Sequence, residues 1–126
     1  MVFGIGCDIV DHALTKKVLN WESDYNTLHR LFTIKELALY ENQKNIRFLM
    51  GRFASKEAIL KCIGTGMQDG ISLKDIEISQ MINGQPHVEL FGEVKRKSDD
   101  LGIKRWHLSI SHSANYSVAF VIAETN

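Results

Sequence analysis

Hydrophobic and polar positions along the 126-residue chain change period several times, and each change marks an element. Residues 2–10 are rich in Val, Ile and Phe and alternate loosely, the pattern of a strand. Gly4 and Gly6 inside it point to close approach by another backbone. From Asp11 to Trp21 the spacing turns helical, with Ala13, Leu14, Val18 and Trp21 as the apolar side and Lys16 and Lys17 turned to water or a partner. A second short helix is predicted over Tyr25–Leu31. Thr33-Ile34-Lys35-Glu36 has the form of a capping box and starts a helix to about Glu41. The polar run 41–45 then breaks the chain.

A long helix is predicted from Ile46 to Ile63. Ala, Leu, Ile, Lys and Glu dominate 51–61 without a proline, and Gly64 stands where the helix would cap. Ala54, Ala58 and Cys62 are small enough to let a second backbone come close. Beyond this helix the pattern becomes two-fold. Leu73–Met81 alternates as a half-buried strand, Asn83-Gly84 signals a turn, and His87–Leu90 returns as its partner. Pro86, the only proline, begins that return, where a missing donor is tolerable. An amphipathic helix over Gly92–Leu101 follows. Two strands, Trp106–Ser111 and Tyr116–Ala123, then flank a turn at 112–115. Helices first and a mostly antiparallel sheet after, joined by the N-terminal strand and packed on the long central helix, make one α+β domain over residues 1–126.

Composition narrows the class. A hydrophobic fraction of 44% and a charged fraction of 24% are those of a soluble globular protein. Fifteen basic and fifteen acidic residues cancel, which argues against sequence-independent nucleic-acid binding and leaves self-association open. Cys7 and Cys62 form neither a disulfide framework nor a metal motif; both are expected as buried thiols in a reducing compartment. The N-terminus lacks a basic leader and Asp8 interrupts its apolar run, so neither a signal peptide nor a membrane span is expected. A cytoplasmic location is expected.

Candidate chemistry gathers at two points. Glu57 and Lys61 share a helix face, and Arg52 and Lys56 form a neighbouring i,i+4 pair; three cations around one carboxylate suit a polyanion. Asp8 is out of place in an apolar strand. It either caps the following helix or, as a carboxylate needing a cation or donors, holds a metal. In Ser109-Ile110-Ser111-His112-Ser113, adjacent Ser111 and His112 point to opposite sides of a strand and no nucleophile elbow accompanies them, which argues against a triad. His112 reads as a structural hydrogen-bonder or a donor to a ligand phosphate.

The chain resembles the holo-acyl-carrier-protein synthases, small single-domain 4′-phosphopantetheinyl transferases. The matching stretches are Gly4-Ile5-Gly6-Cys7-Asp8-Ile9-Val10, Phe48–Ala58 with Lys61, Gly64-Thr65-Gly66, Asp75–Ile78, Asn83-Gly84 with Pro86, and Ser109–Ser113, in the family's order across nearly the whole chain. The resemblance implies the phosphopantetheinyl transferase fold and transfer of 4′-phosphopantetheine from coenzyme A to a serine of an acyl carrier protein, in fatty-acid synthesis. It assigns Asp8 and Glu57 as Mg²⁺ ligands and Lys61 as the cation offsetting charge on the breaking pyrophosphate, these three being catalytic. The serine's proton goes to Glu57 or to a water acting for it. Arg52, Gly64, Gly84, Pro86, Ser111, His112 and Ser113 fall where similar enzymes contact coenzyme A. The family is homotrimeric, with sites at subunit interfaces and Gly84-Gln85-Pro86 supplied by a neighbour.

Two stretches depart from the family. Asp11 and Leu14 stand where Glu and Arg are usual in the carrier-docking helix, leaving Lys16 and Lys17 as its basic contacts, and Gln85 replaces a common Lys. The alternative reading is a coenzyme A-binding module without transferase activity. A phosphohydrolase using the same carboxylates ranks last.

Overall fold

The computed structural model describes residues 1–21, 25–66 and 69–126. Strand β1 (Val2–Asp11) lies antiparallel to β5 (Tyr116–Glu124), whose other edge pairs with β4 (Arg105–His112), giving a three-stranded sheet in the order β1-β5-β4. A separate two-stranded sheet is the hairpin of β2 (Ile76–Gln80) and β3 (Pro86–Leu90), with Gln80 opposite Pro86. Four helices follow one another between β1 and β2: α1 (His12–Leu19), α2 (Tyr25–Leu31), α3 (Ile34–Gln43) and α4 (Ile46–Ile63). A fifth, α5 (Gly92–Asp100), links β3 to β4. The α+β architecture follows as expected.

The centre of the core is the contact of α4 with β1 and β5. Ala54, Ala58, Ile59 and Leu60 are fully buried there, with Ala119 and Val121 from β5. The approach is close enough to require a glycine: a Cβ on Gly6 would sit 2.0 Å from the carbonyl oxygen of Ala58. This is the backbone contact that the small residues on both sides anticipate. The opposite, outward face of the sheet carries Ile5, Ile9, Tyr116 and Phe120, all exposed. Cys7 lies there too. It is exposed rather than buried, and Cys62 is half-buried with its thiol pKa pushed up by burial.

The sequence reading changes at the start of β2, at the exposed face of α1 and at the helix cap, each for a local reason. The expected strand 73–81 shortens to β2, because Leu73–Asp75 winds into a 3₁₀ turn whose Lys74 N–H donates to Ser72 Oγ. Gly84, at φ 89°, closes the β2–β3 turn with its N–H on the Met81 carbonyl, a conformation that disfavours any Cβ. In α1 the apolar stripe faces out: Leu14 and Val18 are 58% and 70% exposed, while His12 and Trp21 are buried. Two bonds set that rotation. Asp11 caps the helix by accepting the Leu14 N–H, and the His12 N–H donates to the Asn115 carbonyl in the β4–β5 turn. The cap is therefore Asp11 and not Asp8.

Candidate active site

Asp8 and the C-terminal half of α4 come together because β1 runs directly over that helix. Lys61 Nζ donates to Asp8 Oδ1 at 2.7 Å and to the Cys7 carbonyl at 3.3 Å. Although Glu57 and Lys61 share a helix face, the lysine's hydrogen bond goes to Asp8, which raises the Lys61 pKa. Glu57 is left without that bond. Its Oε1 is buried and has no hydrogen-bond partner among the described residues. Burial raises the Glu57 pKa and the charge of Asp8 adds to it, with Lys61 opposing. A buried, unpartnered carboxylate oxygen is costly unless a cation answers it. No group of three or more metal-ligating side chains occurs among the described residues. The site thus offers two carboxylates and would leave the other positions to water and substrate oxygens, a donor set that suits Mg²⁺.

A second cluster lies on another flank of α4. Arg52, Gly84, Pro86 and His112 line one cavity of about 440 Å³ together with Arg47 and Gly51. Arg52 is pinned by a 3.0 Å bond from Nε to the Ile78 carbonyl and stacks 3.6 Å from the Phe48 ring centroid. Its terminal nitrogens remain for a ligand, and a stacked, planar guanidinium suits phosphate. His112 Nδ1 lies 2.7 Å from Ser117 Oγ, and its ring sits over Gly51, where a Cβ would meet Cε1 at 2.8 Å. Burial, Arg47 and His12 lower the His112 pKa. Two arginines and an imidazole make this a cavity for an anion.

The other anticipated residues scatter. Gly64 caps α4 at φ 77°, close in sequence to Lys61 and outside the cavity lining. Ser111 and Ser113 are exposed and do not line the cavity; Ser113 Oγ accepts the Tyr116 N–H. On α1, Lys17 is exposed, whereas Lys16 is half-buried beside a separate small cavity with Trp21 and Tyr40. Lys56 is no part of a polyanion site. It is fully buried, with Nζ donating to Glu36 Oε1 at 2.6 Å, the Leu31 carbonyl at 2.9 Å and the Leu73 carbonyl at 3.1 Å. Glu36 Oε2 in turn accepts the Ile78 N–H. The residue whose carbonyl holds Arg52 is therefore also anchored through its own N–H.

Sequence reasoning missed Arg47, His12, Ser117 and Glu36 as parts of this arrangement. Only Ser117 had a usable signal: a hairpin closing on the turn at 112–115 places it opposite His112, as the register shows.

Comparisons with known proteins bear on the family and the fold. The description "4'-phosphopantetheinyl transferase superfamily" matches residues 4–121. A holo-[acyl-carrier-protein] synthase from Hamiltonella defensa is 36% identical over 124 residues, covering 98% of both chains. Among solved structures, an acyl carrier protein synthase from Plasmodium yoelii with ADP bound superposes with a TM-score of 0.86 at 34% identity, covering 98% of this chain and 95% of that one. A holo-[acyl-carrier-protein] synthase from Helicobacter pylori in complex with coenzyme A gives a TM-score of 0.79 at 31% identity, covering 95% and 99%. The chain belongs to the 4′-phosphopantetheinyl transferase superfamily and, within it, to the holo-acyl-carrier-protein synthases.

Proposed function

We infer that the protein transfers 4′-phosphopantetheine from coenzyme A to a serine of an apo-acyl carrier protein. The observation that carries the reading is the buried, unpartnered Glu57 oxygen beside Asp8 and Lys61. Mg²⁺ held by Asp8 and Glu57 would supply positive charge against the pyrophosphate of coenzyme A. The carrier serine oxygen attacks the phosphorus on the pantetheine side and a new P–O bond forms. The bond to the bridging oxygen breaks, and adenosine 3′,5′-bisphosphate leaves with that oxygen. The serine proton passes to Glu57 or to a water acting for it. Lys61, steadied by Asp8, faces the charge that builds on the leaving group.

Arg52, Arg47 and His112 would hold the phosphates at the nucleotide end of coenzyme A, with Gly84 and Pro86 shaping the same cavity. That cavity and the acid pair occupy different flanks of α4, one toward β2 and the other toward β1. A homotrimer would join the acid pair of one copy to the cavity of the next. The exposed apolar sheet face of Ile5, Ile9, Tyr116 and Phe120 supplies a surface for that assembly. On this reading Arg52 and His112 come from the neighbour along with Gly84 and Pro86. Mixing inactive Glu57→Gln with inactive Arg52→Ala should then restore part of the activity, since some interfaces pair two intact halves. No recovery refutes the shared site.

Lys17 and Lys16 on α1, flanking exposed Leu14 and Val18, would meet the carrier protein. No helix among the described residues is long and apolar enough to cross a membrane. With two unpaired cysteines, this suits work in the cytoplasm on dissolved substrates.

The deciding experiment incubates the protein with coenzyme A, Mg²⁺ and apo-carrier protein and weighs the carrier by mass spectrometry. A gain of one phosphopantetheine is expected. An unchanged carrier with intact coenzyme A would make the protein a binding module, and coenzyme A breakdown without an acceptor would make it a hydrolase.

A further inference from the structure

Behind the anion cavity, two imidazoles share one buried hydroxyl. His112 Nδ1 lies 2.7 Å from Ser117 Oγ, and His12 Nε2 lies 2.8 Å from the same atom. Ser117 is fully buried and His12 is buried, while His112 reaches the cavity. One hydroxyl carries one proton, so it donates to one ring and accepts from the other. His12 decides which. The Ala114 backbone beside the ring favours the protonated form, as a carbonyl facing a ring N–H does. With Nε2 on Ser117, the donor is Nδ1. A neutral His12 protonated at Nδ1 has a lone pair at Nε2 and accepts the Ser117 proton. Ser117 Oγ then accepts Nδ1–H from His112, and the neutral His112 is left with a bare Nε2.

We propose that this chain, running from the Ala114 carbonyl through His12 and Ser117 to His112, makes phosphate binding in the Arg47–Arg52 cavity take up a proton on His112 Nε2. His12 and Ser117 are positioning residues: they touch no ligand and set which nitrogen of His112 is protonated. A bare Nε2 repels a phosphate oxygen, and the imidazolium donates to it while keeping its bond to Ser117. The groups that bear on His112 are Arg47 from α4 and His12 from α1. Asp11 and Arg47 bear on His12. Arg47 and burial keep His112 neutral in the empty cavity, so the proton arrives with the ligand.

The proposal rests on the cavity being the coenzyme A phosphate site, and the test separates the two. ¹⁵N spectra of ligand-free protein at pH 8 should show His112 protonated at Nδ1, and in His12→Leu and Ser117→Ala at Nε2. Calorimetry of coenzyme A binding at pH 8, in buffers of different ionisation heat, should show about one proton taken up per site by the wild type. Both variants should lose that uptake while still binding. His12→Leu is the informative arm, because its side chain lies behind Ser117 and leaves the hydroxyl free to turn toward His112. An Nε2-protonated His112 in the wild type, or equal uptake in wild type and variants, overturns the proton chain. Binding unchanged by Arg52→Ala and His112→Asn overturns the cavity assignment, and the binding claim with it, while the tautomer result stands by itself.

Discussion

Removing the Lys56 amine should cost more than any surface substitution of the same size. Lys56 and Glu36 are 0% and 1% exposed, and the lysine spends all three ammonium protons inside the protein. In Lys56→Met, Glu36 keeps its bonds from the Thr33 and Ile78 N–H groups but loses its counter-charge, and the Leu31 and Leu73 carbonyls lose a donor. Breaking one side of a buried ion pair typically costs about 3–5 kcal/mol, a large share of a usual ~5–15 kcal/mol stability. For a domain of this size that lowers Tm by roughly 10–25 °C.

The same reasoning makes the two partners non-additive. Glu36→Leu strands the ammonium, but Lys56→Met with Glu36→Leu strands neither charge. The double variant should lose at least ~2 kcal/mol less than the sum of the singles. Some loss remains, because Thr33 and Ile78 still need acceptors. Urea unfolding at fixed protein concentration, at low and high salt, is the assay, and the coupling should be nearly salt-independent because water does not reach the pair. A Lys56→Met loss below about 1 kcal/mol, or additive singles, would refute the account. The effect should also reach coenzyme A. Glu36 holds the N–H of Ile78, the residue whose carbonyl positions Arg52, so Glu36→Leu should raise the KM for coenzyme A more than it lowers kcat.

Glu57→Gln should abolish transfer yet leave metal-free Tm equal or higher, since it removes a half-buried charge whose Oε1 has no hydrogen bond among the described residues; Mg²⁺ should raise Tm in the wild type alone, and an active or metal-stabilised variant excludes the acid pair as the ion site. Burial and Arg47 hold His12 and His112 below the ordinary imidazole value of 6.5. The unfolded chain therefore binds protons first, and their contribution is whole above pH 6.5 and declines as pH falls through the lowered native values. Denaturation midpoints should drop between pH 7.5 and 5.5 by more in the wild type than in His12→Leu, and an equal or smaller drop contradicts the shifts. Leu14→Arg, on a residue 58% exposed, should lower the KM for an acidic carrier several-fold at low salt and little at high salt, and a salt-independent KM removes α1 as the docking surface.

What the sequence makes legible is local. Thr33 and Glu36 form the capping box their spacing announces, each side chain accepting the other residue's backbone N–H. Asn83-Gly84 closes the hairpin it signals, and Gly6 and Ala58 meet as their size requires. What fails is set by residues far away in the chain. Arg52 and Lys56 look like one more exposed i,i+4 pair; carbonyls at positions 31, 73 and 78 draw both inward. The stripe of Leu14 and Val18 looks like a buried face, and the bond from His12 N–H to Asn115 turns it outward. His12 and Ser117 are separated by 105 positions, beyond the reach of any spacing rule.

These errors share a cause in α4. A helix with a single wet face shows its inside and outside by period, but α4 is buried along both flanks from Leu49 to Leu60, so its charged residues do not sort by stripe. They sort by neighbour. Arg52 and Glu57 are five residues apart, about 140° around the axis at ~100° per residue. One turns to β2 and the other to β1. A continuous active site on one copy would need both on the same side. The divergence of two charged side chains on one buried helix is therefore the physical basis for proposing a catalytic site shared between copies.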